Sequence, residues 1–320
     1  MAVVTSTSLK FVAMGTTGHL QITGPGAKNL AAVGVSLVAA LERRWSRFLP
    51  GSDVSRVNRT PGHSVEVDPS TIELLELALA AWAGTDRRFS PFLGRAMHDI
   101  GYSRSWTAGC VLTPKSKPLY PGDGYLAASA VPHHLVSIDR DASAVAISPG
   151  VQLDFGGIAK GFAADLVFRE VVRLGAVSAL VDLGGDIAFG SVLRPGAGNP
   201  RPWTIAVDDP FNPGRCIDSV VADGGGVATS STLRRRWRSE TGESFHHLVD
   251  PATGRPVASD IAAVTVVADS CANAEVLTKQ FLLMGRETAV CEATRLGVDA
   301  LMVGHDQAVS RTGIWERAVA

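Results

Sequence analysis

The sequence predicts an α+β protein in which antiparallel sheets pack against helices. Two observations lead there. Helical periodicity is confined to a few well-separated segments, and the remaining apolar runs are short, hairpin-like and bounded by Gly, Pro, Asn and Asp. The steady βαβα rhythm of a doubly wound sheet is missing. With 320 residues the chain can bury a large core, and we read residues 1–320 as a single domain.

From the N-terminus, Asn29 to Trp45 places Leu30, Val33, Leu37, Leu41 and Trp45 at three- and four-residue spacing, the stripe of an amphipathic helix. A second helix is expected from Ser70, where Ser70-Thr71-Ile72-Glu73 has the form of a capping box, to about Trp82. A third should open after Gly156-Gly157 and continue through Val172. A fourth fits Ala272 to Met284 and stops at Gly285. Strand-like runs cover His134 to Asp139, Ala144 to Ser148, Ser178 to Asp182, Trp203 to Val207, Ala262 to Ala268 and Ala300 to Val303. Residues 103–124 and 193–201 read as long surface loops.

Composition excludes several functions. A net charge of −1 gives no electrostatic case for nucleic acid or for an anionic membrane. The basic run Arg234, Arg235, Arg236 and Arg238 reads as a solvated face. Cys110, Cys216, Cys271 and Cys291 form no CxxC pair, so reduced, mostly buried thiols are expected. The first residues lack the basic and apolar regions of a signal peptide. No stretch approaches the ~18 uninterrupted apolar residues of a membrane span. A cytoplasmic protein without membrane insertion is the resulting expectation.

Familiar nucleotide and zinc signatures (GxGxxG after a strand, GxxxxGK[ST], HExxH) do not occur. Gly156-Gly157-Ile158-Ala159-Lys160-Gly161 precedes a helical pattern. Backbone N–H groups at a helix start attract phosphate, and a lysine adds charge, yet a tight turn explains the same glycines. His247-Leu248-Val249-Asp250-Pro251-Ala252-Thr253-Gly254 sets titratable groups beside a rigid turn. It suits either an acid/base residue held in place or a capped turn with Asp250 as its stabilising carboxylate. Asp182-Leu183-Gly184-Gly185-Asp186 is a strand ending in a turn, or a backbone site close to a ligand.

The order of the motifs adds to this. Met14-Gly15-Thr16 is followed by Ser46-Arg47-Phe48, Ser52 to Asn58, Arg88-Phe89-Ser90-Pro91, the run Asp154 to Asp165, Leu183 to Asp186, Ala228-Thr229-Ser230, the HxxDPxTG element and Ala274-Glu275 to Gly285. That set resembles the ApbE-type flavin transferase family from roughly Phe11 to Gly304. The resemblance implies a T-fold-like architecture and a reaction in which Mg²⁺-bound FAD is split at its pyrophosphate. FMN then passes to a Thr or Ser hydroxyl of an acceptor flavoprotein and AMP leaves. In such phosphoryl transfer, positioning and charge neutralisation supply most of the rate. By the same resemblance Met14 and Phe48 lie along the flavin, and Arg88, Phe89 and Ser90 line the FAD cleft. Asp154, Lys160 and the Val249 backbone contact the dinucleotide, and His247 assists deprotonation of the acceptor hydroxyl.

The cation site implied by the family departs from pattern. The family's Asp and Thr ligands, one helical turn apart, fall on Glu275 and Lys279, with Thr278 next to Lys279 and Gly157 as the carbonyl donor. Glu keeps an oxygen on a longer arm, but an ammonium is no metal ligand. Glu275 and Lys279 also form a favourable i,i+4 pair. Ser90 stands where Asp is common. Four readings stay open: a transferase with a weakened Mg²⁺ site, one in which Lys279 supplies the charge, a flavin-binding paralogue without transferase activity, and an FAD pyrophosphatase.

Overall fold

The structure is a computed structural model that describes residues 4–106, 112, 132–192, 202–239 and 242–317. Most of the 103–124 loop and all of the 193–201 loop lie outside the described residues. Two compact units emerge, one comprising Met1–Ala40, Lys160–Ser231 and Ser259–Ala320, the other Leu41–Ala159 and Thr232–Ala258.

The first unit is built on an eight-stranded, fully antiparallel sheet. Its order is Val4–Ala13, Thr16–Pro25, Ser178–Leu183, Asp186–Ser191, Gly224–Ser231, Ile261–Ala268, Asp299–Gly304 and Val309–Arg311. The first two strands form a hairpin whose two-residue turn holds Met14 and Gly15 at φ 52° and 66°, the positive values that match the strand twist. Alternate residues face opposite sides of the sheet. Leu180, Phe189, Val227, Leu301 and Val303 form one core with Trp315 and with Ile205, Val207 and Val220 of the Trp203–Asp208/Cys216–Ala222 hairpin. The helices Ala159–Arg173 and Cys271–Met284 belong to the same unit, and the latter packs on the Gly224–Ser231 and Ile261–Ala268 strands.

Close approach governs that helix pair. A Cβ on Gly161 would meet the Cys271 carbonyl oxygen at 2.7 Å, and one on Gly226 would meet the Cys271 nitrogen at 2.1 Å. Only glycine allows the start of the Cys271–Met284 helix to sit so near both neighbours. Asp165 then holds that helix start, its two carboxylate oxygens accepting from the Cys271 and Ala272 N–H groups at 2.9 Å each. The Ser270 hydroxyl caps the same turn from Asn273 N–H.

The second unit holds a small sheet of Val65–Glu66, Ala144–Ile147 and Val136–Asp139, with the helices Asp53–Arg59, Pro69–Gly84 and Gly94–Asp99. Two short hairpins, Arg236–Arg238/Ser244–His246 and Val249–Asp250/Arg255–Pro256, complete it. Its aromatic core stacks Tyr102 on Trp237 and Trp237 on Phe245, with Met97, Ile100 and Val249 beside them.

The α+β class and all four expected helices are observed, with adjusted ends. The helix expected from Ser70 is capped by Asp68 instead, whose carboxylate accepts from both the N–H and the hydroxyl of Ser70. Pro69 fixes φ for the first helical position and moves the start upstream. Residues Pro132–Leu135 form a helical turn, so the strand expected from His134 begins at Val136.

Candidate functional site

Four charged side chains meet where the Asp186–Ser191 strand and the helices Ala159–Arg173 and Cys271–Met284 converge. Glu275 is fully buried and Asp186 is 2% exposed. Glu275 Oε1 accepts from Lys160 Nζ at 2.9 Å and from Lys279 Nζ at 3.1 Å, while its Oε2 accepts from Gly161 N–H at 2.8 Å. Lys160 also pairs with Asp186 Oδ2. Asp186 Oδ1 is buried and has no hydrogen-bond partner among the described residues.

The electrostatics follow from who has partners. Burial disfavours every charge here, but two ammoniums and a backbone N–H outweigh it at Glu275 and lower its pKa to about 2. Asp186 is raised to about 6, by burial first and then by the Glu275 carboxylate, against the pull of Lys160 and Lys279. Burial also opposes the Lys160 charge, yet Asp186 and Glu275 leave its pKa above the ordinary value. Lys279 falls below its ordinary value, through burial and then the neighbouring Lys160, with Glu275 and Asp186 resisting.

The second unit collects most of the other residues singled out in the sequence. Asp154 Oδ2 pairs with Arg47 Nε at 2.7 Å, and its Oδ1 accepts from Gly156 N–H at 2.6 Å. Arg47 also lies 4.1 Å from the centroid of the Phe48 ring and donates to the Tyr102 carbonyl. Phe48 meets Tyr102 edge to face at 5.7 Å and packs on the aromatic core that includes Val249. Phe89 is a core residue, with its N–H on the Thr85 hydroxyl. Ser90 Oγ caps Phe92 N–H, and half-exposed Arg88 reaches Asp86 at 3.3 Å. His247 follows the Ser244–His246 strand in a bend and is half-buried. Asp250 Oδ1 accepts from Ala252 N–H and its carbonyl from Gly254 N–H, so it secures the Asp-Pro turn. Met14 sits at its hairpin turn in the first unit.

Three contributors were given no role of their own from sequence. Asp186 entered only within the Asp182 to Asp186 run, read as a turn or a backbone site close to a ligand, and Arg47 only within the Ser46-Arg47-Phe48 motif. The contacts of Arg47 with Asp154 and with Tyr102 span 107 and 55 residues, which no local pattern shows.

The positions to which the resemblance assigns the cation fit a divalent ion poorly, although Asp186 Oδ1 is an uncommitted carboxylate oxygen at the cluster. Both Glu275 oxygens are committed to ammonium and amide donors. Thr278 Oγ1 contacts Ser230 Oγ and donates to its own helix at the Glu275 carbonyl, each at 2.7 Å. Lys279 offers an ammonium where an oxygen ligand is required. Gly157, the expected carbonyl donor, stands just before the helix Ala159–Arg173 that carries Lys160. Among the described residues no group of three or more His, Cys, Asp or Glu side chains could hold a metal ion.

Both the sequence and the fold have likenesses among known proteins. An FAD:protein FMN transferase of Treponema pallidum is 30% identical over 278 residues, covering 83% of this chain and 75% of that protein. One from Vibrio cholerae is 25% identical over 300 residues, covering 91% and 85%. The crystal structure of an ApbE protein from Thermotoga maritima aligns with a TM-score of 0.82 at 26% identity, covering 98% of this chain and 99% of that one. The apo form of the Pseudomonas stutzeri flavinyl transferase ApbE gives 0.78 at 25% identity, over 98% and 96%. The model of the ApbE family matches residues 14–302, which span the motifs from the Met14 turn to the Cys271–Met284 helix, and the chain belongs to that family.

Proposed function

We propose that this chain is an FAD:protein FMN transferase acting on a Thr or Ser hydroxyl of an acceptor protein. The observation that carries the reading is the likeness, over 83% of the chain, to a relative named for that activity. In the reaction the acceptor oxygen attacks the FMN phosphorus and a new P–O ester bond forms. The bridging P–O bond of the pyrophosphate breaks, and AMP departs with the bridging oxygen. His247 takes the hydroxyl proton as a neutral imidazole. Lys160 faces the pyrophosphate charge, while Phe48, with Arg47 over its ring, offers an aromatic surface to the flavin. Met14, Arg88, Phe89, Ser90, Asp154 and the Val249 backbone complete the FAD contacts in this reading. Cys216, Cys271 and Cys291 are free thiols, the first and last exposed and not buried as expected, and they support a reducing compartment such as the cytoplasm. No described helix is long and apolar enough to cross a membrane.

Incubation of the full chain with FAD and a Thr-bearing acceptor domain tests the reading by intact mass and AMP release. An FMN adduct matched by AMP is expected. AMP released with FMN left free would favour FAD hydrolysis, and FAD bound but unchanged would favour a flavin-binding paralogue. His247→Ala should cut transfer roughly 10²- to 10⁴-fold and leave FAD affinity unchanged.

A further inference from the structure

We propose that Lys279, beside Lys160, is the chain's own cation for the FAD pyrophosphate, standing in for the divalent ion that the family resemblance assigns to Glu275 and its neighbours. The inference rests on the reading of FAD as ligand and names which charge meets its phosphates. Four observations carry it. First, the Lys279 side chain is only 16% exposed, as is that of Lys160, so it is not a surface lysine resting on its helix. Second, both ammoniums donate to one and the same oxygen, Glu275 Oε1, which holds two like charges side by side. Glu275 and Asp186 share these like charges, and Lys279 Nζ spends one of its three N–H donors on Glu275 among the described residues, which leaves donors for a phosphate.

Third, three of the roughly four acceptor positions of Glu275 are already taken, two by ammoniums on Oε1 and one by Gly161 N–H on Oε2. A dication placed there would also meet two ammoniums at close range. Fourth, Thr278, the one hydroxyl nearby on the helix, is fully buried and bonded to Ser230 and the Glu275 carbonyl. Lys160 further stands in the first turn of the Ala159–Arg173 helix, whose N-terminus adds positive potential. Glu275 therefore acts as a positioning residue, orienting two lysines rather than ligating a metal.

The test reads FAD affinity by equilibrium dialysis with excess EDTA and with Mg²⁺, and cation binding by Mn²⁺ paramagnetic resonance on the full chain. Wild type should bind FAD within about twofold in the two buffers and show no stoichiometric Mn²⁺ site. Lys279→Thr should weaken FAD in EDTA roughly tenfold or more and regain affinity when Mg²⁺ is added. Lys279→Arg, which keeps the charge, should bind FAD alike in EDTA and Mg²⁺ and guards against a fold defect, as does an unchanged circular dichroism spectrum. The proposal is overturned if wild type loses FAD in EDTA and recovers it with Mg²⁺, if wild type binds Mn²⁺ stoichiometrically, or if Lys279→Thr binds FAD like wild type. Because binding is read without an acceptor, a missing FMN adduct with this binding pattern intact would refute the transferase reading and still support the lysine cation.

Discussion

Thr278 and Lys279 are neighbours in sequence but about 100° apart around their helix, and that rotation decides their chemistry. Thr278 points into the unit, where its hydroxyl meets Ser230 Oγ at 2.7 Å; Lys279 lies one turn beyond Glu275 and reaches its carboxylate. The i,i+4 pair was legible in the sequence because helical geometry alone brings the two side chains together. Its burial was not, since that depends on Lys160 and Gly161 arriving from another helix. Replacing Thr278 by Val keeps shape and removes the hydroxyl, leaving Ser230 Oγ short of a partner in a buried site. Stability should fall by about 1–2 kcal/mol in urea unfolding, with FAD affinity in Mg²⁺ and in EDTA unchanged. A loss of Mg²⁺ response in Thr278→Val alone would instead make this hydroxyl a cation ligand.

At the scale of elements, the start of the Cys271–Met284 helix is the joint that aligns the charged site. Asp165 accepts both of its first N–H groups, and Gly161 presses on the Cys271 carbonyl. Gly161→Ala would force that carbonyl away, since a 2.7 Å approach is untenable, and would shift the Gly161 N–H that fixes Glu275. We expect a loss of about 1–3 kcal/mol in thermal or urea unfolding together with weaker FAD binding. Equal stability and equal affinity would show that the joint yields freely. Both helices of this joint were legible from their apolar spacing. The strand above them was not, because Gly224-Gly225-Gly226 lacks every strand preference and is there to admit the helix start. The opening hairpin also escaped notice, since Val4–Ala13 is an edge strand with mostly exposed, polar positions and so shows no apolar alternation.

Across the whole molecule, a net charge of −1 conceals a buried group of two lysines and two carboxylates whose titration shapes stability. Summed charge carries no information about burial, which is why composition excluded nucleic acid yet said nothing of this cluster. Asp186 has a folded pKa of about 6 against an ordinary 3.8, so between those values the folded chain keeps a proton that the unfolded chain has lost. Stability from this group is therefore full below the lower value and declines as pH rises through the upper one. Glu275 runs the other way: its folded pKa of about 2 lies below the ordinary 4.5, so its contribution is present above 4.5 and disappears as pH falls towards 2. The two windows meet between 3.8 and 4.5, where the cluster contributes most. Asp186→Asn removes the upper window and retains the lower. Urea unfolding from about pH 4 to pH 7 should show wild-type stability declining relative to Asp186→Asn, whatever the absolute offset between them. Parallel profiles over that range would mean that Asp186 is ionised throughout, with its free Oδ1 already satisfied in solution.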